Sequence, residues 1–234
     1  MRKRIKEQLM QAVETDYKKF NEKIIPGAQN VLGIRMPKLR EIAKKAAKTD
    51  AEEYLWQLET ALRNGEQLYH EEMLLYGLVI GYAKFDNGQR KDWLDRFIPY
   101  IDNWAVCDSC CMTYKWMKKD TEYWWGYLLQ QIEVETEYSI RFAVVCMLDH
   151  FVNDIYIEEI LKWCDVIDYE AYYVKMAVAW AVSVCYVKYP ERTDRFLREN
   201  QMDDETQNKA IQKICDSYRV TKEQKQMVRG YKRK

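Results

Sequence analysis

Glycine and proline are scarce in this chain of 234 residues, with 8 and 4 copies. That scarcity excludes long irregular loops and many tight β-turns. Histidine is scarcer still. His70 and His150 lie far apart and have no ligand partners at zinc spacing. The 7 cysteines are an odd number and form no CxxC pair, so they read as reduced, buried thiols of a cytosolic protein. Cys110 and Cys111 are adjacent and fall on different faces of a helix, which makes them a poor metal clip. No stretch approaches the ~20 apolar residues of a membrane span. The opening MRKRIKEQLMQAVETDYKKF is basic, but no apolar run follows, so it does not read as a signal peptide. The expected compartment is the cytoplasm. Net charge is zero with a pI near 6.8, which taken as a bulk property argues against a nucleic-acid partner.

What the chain has is aromatic and charged. Aromatic residues make up 14%, including 18 Tyr and 8 Trp, as core and interhelix packing requires. Charge is segregated along the sequence. Val31 to Asp50 holds six lysines and arginines against two acids, and Ile132 to Glu170 holds ten acids against two bases. Gln201 to Lys234 holds nine bases against five acids. One basic and one acidic face would give this pattern, and so would ordinary solvated helix surfaces.

Nearly every segment carries helical periodicity. MPKLREIAKKAAK places Leu39, Ile42, Ala43 and Ala46 on one stripe, with Pro37 in a tolerated first-turn position. AEEYLWQLETALRNG places Leu55, Leu58 and Leu62 together, with Gly65 as its stop. LYHEEMLLYGLVIGYAKF continues the pattern up to Asn87-Gly88. FAVVCML and MAVAWAVSVCYV contain β-branched residues and could be short buried strands, but their length and their helical flanks favour buried helix. Roughly twelve helices joined by short connections are expected. Their pairs recur at about 35–40 residues, near the HEAT-like range. No linker or compositional break interrupts 1–234, so one all-α domain is expected: a HEAT-like helical-repeat solenoid with a concave face.

Four residues carry the candidate chemistry. Trp104 and Asp108 in DNWAVCDSCC are four apart, one turn apart on one helix face, with Asp102 or Asn103 as the cap. Arg141 sits early in an apolar helix, and Trp180 has small neighbours that leave room for its indole. A carboxylate, a guanidinium and two indoles suit a site holding a cation beside a phosphate backbone. The alternative is structural: tryptophans in the core, and Asp108 as the buried ion-pair partner of Arg141.

The segments NVLGIRMPKLREIAKKAAK, NWAVCDS, IRFAVV and VKMAVAWAV together resemble the AlkD-type DNA alkylation repair glycosylases, in order and spacing, over roughly Lys18 to Tyr218. The resemblance implies excision of N3- and N7-alkylated, positively charged purines from duplex DNA. It implies Asp108 as the catalytic carboxylate, Trp104 and Trp180 as lesion-flanking indoles, and Arg141 as a DNA-backbone contact. It implies a monomer that needs no metal or cofactor and does not engage a membrane. As aligned with that family, Asp149 and Ser183 stand where basic residues are usual. A non-catalytic helical-repeat DNA-binding module and a protein-interaction scaffold are the other two readings.

Overall fold

The stripe in MPKLREIAKKAAK becomes a helix, Met36–Thr49, whose buried residues are Leu39, Ile42, Ala43 and Ala46, the positions the spacing selects. The computed structural model describes Met1–Lys234, and every regular element in it is helical. There are fourteen α-helices, two 3-10 segments and no strand. The count exceeds the twelve read from periodicity. Helices of eight residues, such as Trp104–Cys111 and Lys222–Arg229, leave barely two turns of pattern to read. No helix is long and apolar enough to cross a membrane.

The chain groups into two compact units, Met1–Trp116 and Met117–Lys234. The first contains α1 (Arg2–Gln11), α2 (Thr15–Ile24), α3 (Met36–Thr49), α4 (Ala51–Arg63), α5 (His70–Tyr82), α6 (Asn87–Phe97) and α7 (Trp104–Cys111). The second contains α8 (Thr121–Glu133), α9 (Glu137–His150), α10 (Ile157–Val166), α11 (Tyr172–Lys188), α12 (Pro190–Glu199), α13 (Asp204–Asp216) and α14 (Lys222–Arg229). Asn87-Gly88 opens α6 instead of ending α5. The Asp86 carboxylate caps Gln89 N–H at 2.8 Å, and the Gln89 side chain accepts from Asp86 N–H, a reciprocal capping box.

Extensive helix contacts skip a helix. In the first unit α3 packs on α5 and α5 on α7; in the second α9 packs on α11 and α11 on α13. This next-but-one packing is consistent with a stack of helical pairs. It explains why α5 lacks a polar face. Every residue of α5 from His70 to Ile80 is buried, as a helix surrounded by neighbours must be. FAVVCML and MAVAWAVSVCYV are buried helix, within α9 and α11.

The start of α5 also organises the loop before α3. Glu71 is fully buried, and its carboxylate accepts from the N–H groups of Leu32, Gly33 and Ile34 at 2.9, 2.8 and 3.3 Å. Gly33 has φ +89°, and a Cβ there would lie 2.5 Å from the Lys18 backbone, so no other residue fits. Beside Glu71, burial pushes the His70 imidazole pKa below its ordinary value, while Glu71 and Asp102 act in the opposite sense.

Two outcomes are expected. Glu71→Ala leaves three N–H groups without their acceptor and costs about 3–5 kcal/mol, read as a loss of stability in urea unfolding of the full chain. His70 binds its proton less readily folded than unfolded, so the unfolded state takes up more protons below about pH 6.5. Its contribution to stability is therefore complete above that pH and declines as pH falls. His70→Gln flattens this part of the stability–pH profile; an unchanged slope would show that His70 does not set it.

Candidate functional site

Helix α7 is short, so its caps and contacts fix it more than its own propensity does. Asn103, not Asp102, is the N-cap: its side chain accepts from Val106 N–H at 3.0 Å. Asp102 supports it by accepting from the Asn103 amide at 2.7 Å. Ala105, Val106, Cys107, Cys110 and Cys111 form the buried face. Trp104 and Asp108, one turn apart, are left partly exposed on the same face. The Trp104 indole N–H donates to the Ile24 carbonyl at 3.3 Å, at the end of α2. One turn back on α2 lies Phe20, an exposed ring stacked on Tyr17, with the Arg35 guanidinium over Tyr17 at 4.7 Å.

The seat of α7 is α5. A Cβ on Gly77 would fall 2.4 Å from Cys110 Sγ, and one on Gly81 would collide with the Thr113 side chain. The two glycines are four apart on one face, so α7 and the turn after it can lie against the α5 backbone. Cys110 Sγ donates to Leu74 O at 3.6 Å and Tyr114 O–H to Gly77 O at 3.2 Å. Burial holds the Cys110 thiol well above its ordinary pKa, with Cys107 and Asp108 adding to the effect and Arg40 opposing it. Arg40 and Asp108 therefore both act on Cys110. The Arg40 guanidinium also reaches Met112 Sδ at 3.5 Å, and Lys44, one turn on, lies over the Tyr82 ring at 5.3 Å. Helix α3 thus brings two cations toward the C-terminal end of α7.

In the second unit, Arg141 is the fifth residue of α9 and only 5% exposed. It donates to the Tyr173 carbonyl at 2.6 Å, with its guanidinium 5.8 Å from the Tyr173 ring centre. Glu137, one turn before Arg141, accepts from Tyr173 N–H at 3.1 Å. This bracket ties the start of α9 to the start of α11. Trp180 lies seven residues after Tyr173, about 10 Å along α11, and is partly exposed between buried Ala179 and Ala181. Lys175, between them, forms ion pairs with Glu170, Asp203 and Glu205 at 3.1, 3.6 and 3.7 Å, fixing α11 against the start of α13. Trp104 and Asp108 thus share a face of one helix in the first unit. Arg141 and Trp180 stand on packed neighbours, α9 and α11, in the second.

Sequence reasoning missed several of these parts. The glycine pair has a readable signal, two glycines four apart within an apolar helix. Arg40 has none that sets it apart from the other bases of α3.

The family whose model matches residues 5–214 is described as DNA alkylation repair enzyme, and the match spans all four candidate residues. No curated protein and no solved structure matches the chain.

Gly77→Ala tests the seating of α7. The added methyl meets Cys110 and Phe97, and overpacking of this kind costs about 1–3 kcal/mol. The expected result is a lower unfolding midpoint with helical content retained. A neutral effect would mean that α7 shifts freely on α5.

Proposed function

The chain belongs to the family of AlkD-type DNA alkylation repair enzymes, and from this we propose that it is a monofunctional DNA glycosylase for positively charged N3- and N7-alkylated purines. The observation that carries the proposal is the pairing on α7, a partly exposed carboxylate one turn from a partly exposed indole, inside the matched region.

Alkylation at N3 or N7 leaves the base cationic, so it departs without being protonated. As the C1′–N bond breaks, its electron pair goes with the base and neutralises it, and positive charge develops on the sugar. Asp108 stabilises that charge and orients the water whose oxygen bonds to C1′. The proton lost by the water passes to the carboxylate and then to solvent. Trp104 and Trp180 offer indole faces to the cationic lesion nucleotide, an attraction of about 0.5–2 kcal/mol for each ring. Arg141 supplies charge for the phosphate backbone. Its exposure of 5% leaves only an edge for direct contact, and its hold on Tyr173 O fixes the orientation of that edge. No lysine is assigned as a Schiff-base nucleophile, so strand cleavage is not expected.

The test is release of 7-methylguanine from methylated duplex DNA by the intact chain and by Asp108→Asn. Loss of preorganised electrostatic stabilisation lowers the single-turnover rate by about 10²-fold or more, with an unchanged circular dichroism spectrum. Equal rates would remove Asp108 from the mechanism. A folded chain that binds duplex but releases no base would be a non-catalytic DNA-binding module. One that binds no DNA would fit an interaction scaffold.

A further inference from the structure

The basic C-terminal stretch has no role in the chemistry above, yet part of it borders Trp180. Within the second unit, an open groove of about 540 Å³ runs along one face of α11 and is closed by the end of α13 and the turn that follows. Its α11 wall is Trp180, Val184 and Val187, ending at Lys188. These positions follow the helical repeat, so they form a continuous strip. The opposite wall carries Lys213 and Arg219. One acid, Asp216, also lines the groove, so three cations face one carboxylate. The Ser183 hydroxyl is turned back onto Trp180 O at 2.7 Å. Lys188 Nζ donates to Val152 O at 3.3 Å, which fixes its place without neutralising its charge. Tyr218, in the turn, is fully exposed.

We propose that this groove binds the sugar–phosphate backbone of the DNA strand flanking the lesion, with Trp180 at the lesion end and Lys188, Lys213 and Arg219 at the phosphate end. From Trp180 to Lys188 is eight residues, about 12 Å of helix. That length admits a short stretch of backbone beyond the lesion. The apolar strip suits deoxyribose faces, and the cations suit phosphate oxygens. Tyr218 supplies a phenol at the rim, as donor to a phosphate or as a surface for a sugar. The groove is open along its length, as a polymer requires. The proposal rests on the glycosylase reading only for placing the lesion at Trp180.

The experiment is fluorescence anisotropy with an unmodified DNA duplex over a series of KCl concentrations, beside 7-methylguanine release by the same preparations. Each lost phosphate contact lowers the slope of log K against log [salt] by about 0.9. Lys213→Ala/Arg219→Ala is expected to lower it by about 1.8 and to weaken binding at least tenfold at low salt. Asp216→Asn is expected to tighten binding. Lys162→Ala/Arg195→Ala, which removes the same charge from surface outside the groove, is expected to leave the slope unchanged. Circular dichroism confirms folding of each variant. The groove assignment falls if the Lys213/Arg219 variant keeps the intact slope, if the control pair lowers the slope equally, or if the intact chain binds no duplex. Base release separates the two claims. Release with a groove-independent slope overturns the groove and leaves the glycosylase standing. A groove-dependent slope without release leaves the groove standing and overturns the glycosylase.

Discussion

The packing of α5 on α3 and α7, and of α11 on α9 and α13, is the contact on which the other features depend. It places α5 and α11 in the middle of their units. α5 therefore keeps no solvated stripe and is buried along nearly its whole length, while α11 is buried on the sides that meet its neighbours and stays open along the strip of Trp180, Val184, Val187 and Lys188. The same packing gives the short α7 its position. Eight residues do not make a stable helix alone, but against Gly77 and Gly81 of α5 they become a fixed platform whose outward face holds Trp104 and Asp108.

Burial on this scale brings carboxylates inside, and the buried glutamates of the first unit are partnered. Glu59 accepts from Tyr76 O–H at 2.9 Å and from Arg63 at 2.7 Å. Glu72 accepts from Arg2 at 2.8 Å and from Tyr69 N–H at 3.1 Å. Glu71 serves the Leu32–Ile34 loop. Each is a carboxylate removed from water and compensated by donors, without which burial would be prohibitive. Asp108 differs in kind, since it stays partly open on the outward face of α7. The proposed role, meeting a cationic sugar and a water, needs that access. In the second unit Lys175 provides the corresponding tie, gathering acids from the α10–α11 connection and the start of α13. It thereby fixes the two helices that border the groove beside Trp180.

Much of this was legible in sequence because it is local. The α3 stripe, the first-turn Pro37 and the shared face of Trp104 and Asp108 all follow from a period of 3.6 residues acting over one or two turns. The apolar runs of α9 and α11 were ambiguous, and their length resolved them as helix. Asn87-Gly88 misled because a turn-like dipeptide also suits the first turn after an aspartate cap, and Asp86 with Gln89 supplies that cap.

The amino-acid sequence by itself determined an all-helical chain, the faces its helices bury, and the pairing of a carboxylate with an indole on α7. The tertiary structure alone decided what each polar group meets. Glu71 finds N–H groups in a loop almost forty residues earlier, and Arg141 finds a carbonyl 32 residues ahead. Lys188, Lys213 and Arg219 come to one groove from α11, α13 and the turn beyond. Such partners share no period, because hydrogen bonds and ion pairs between distant segments depend on how helices cross. Helical periodicity records only which side of a helix faces inward.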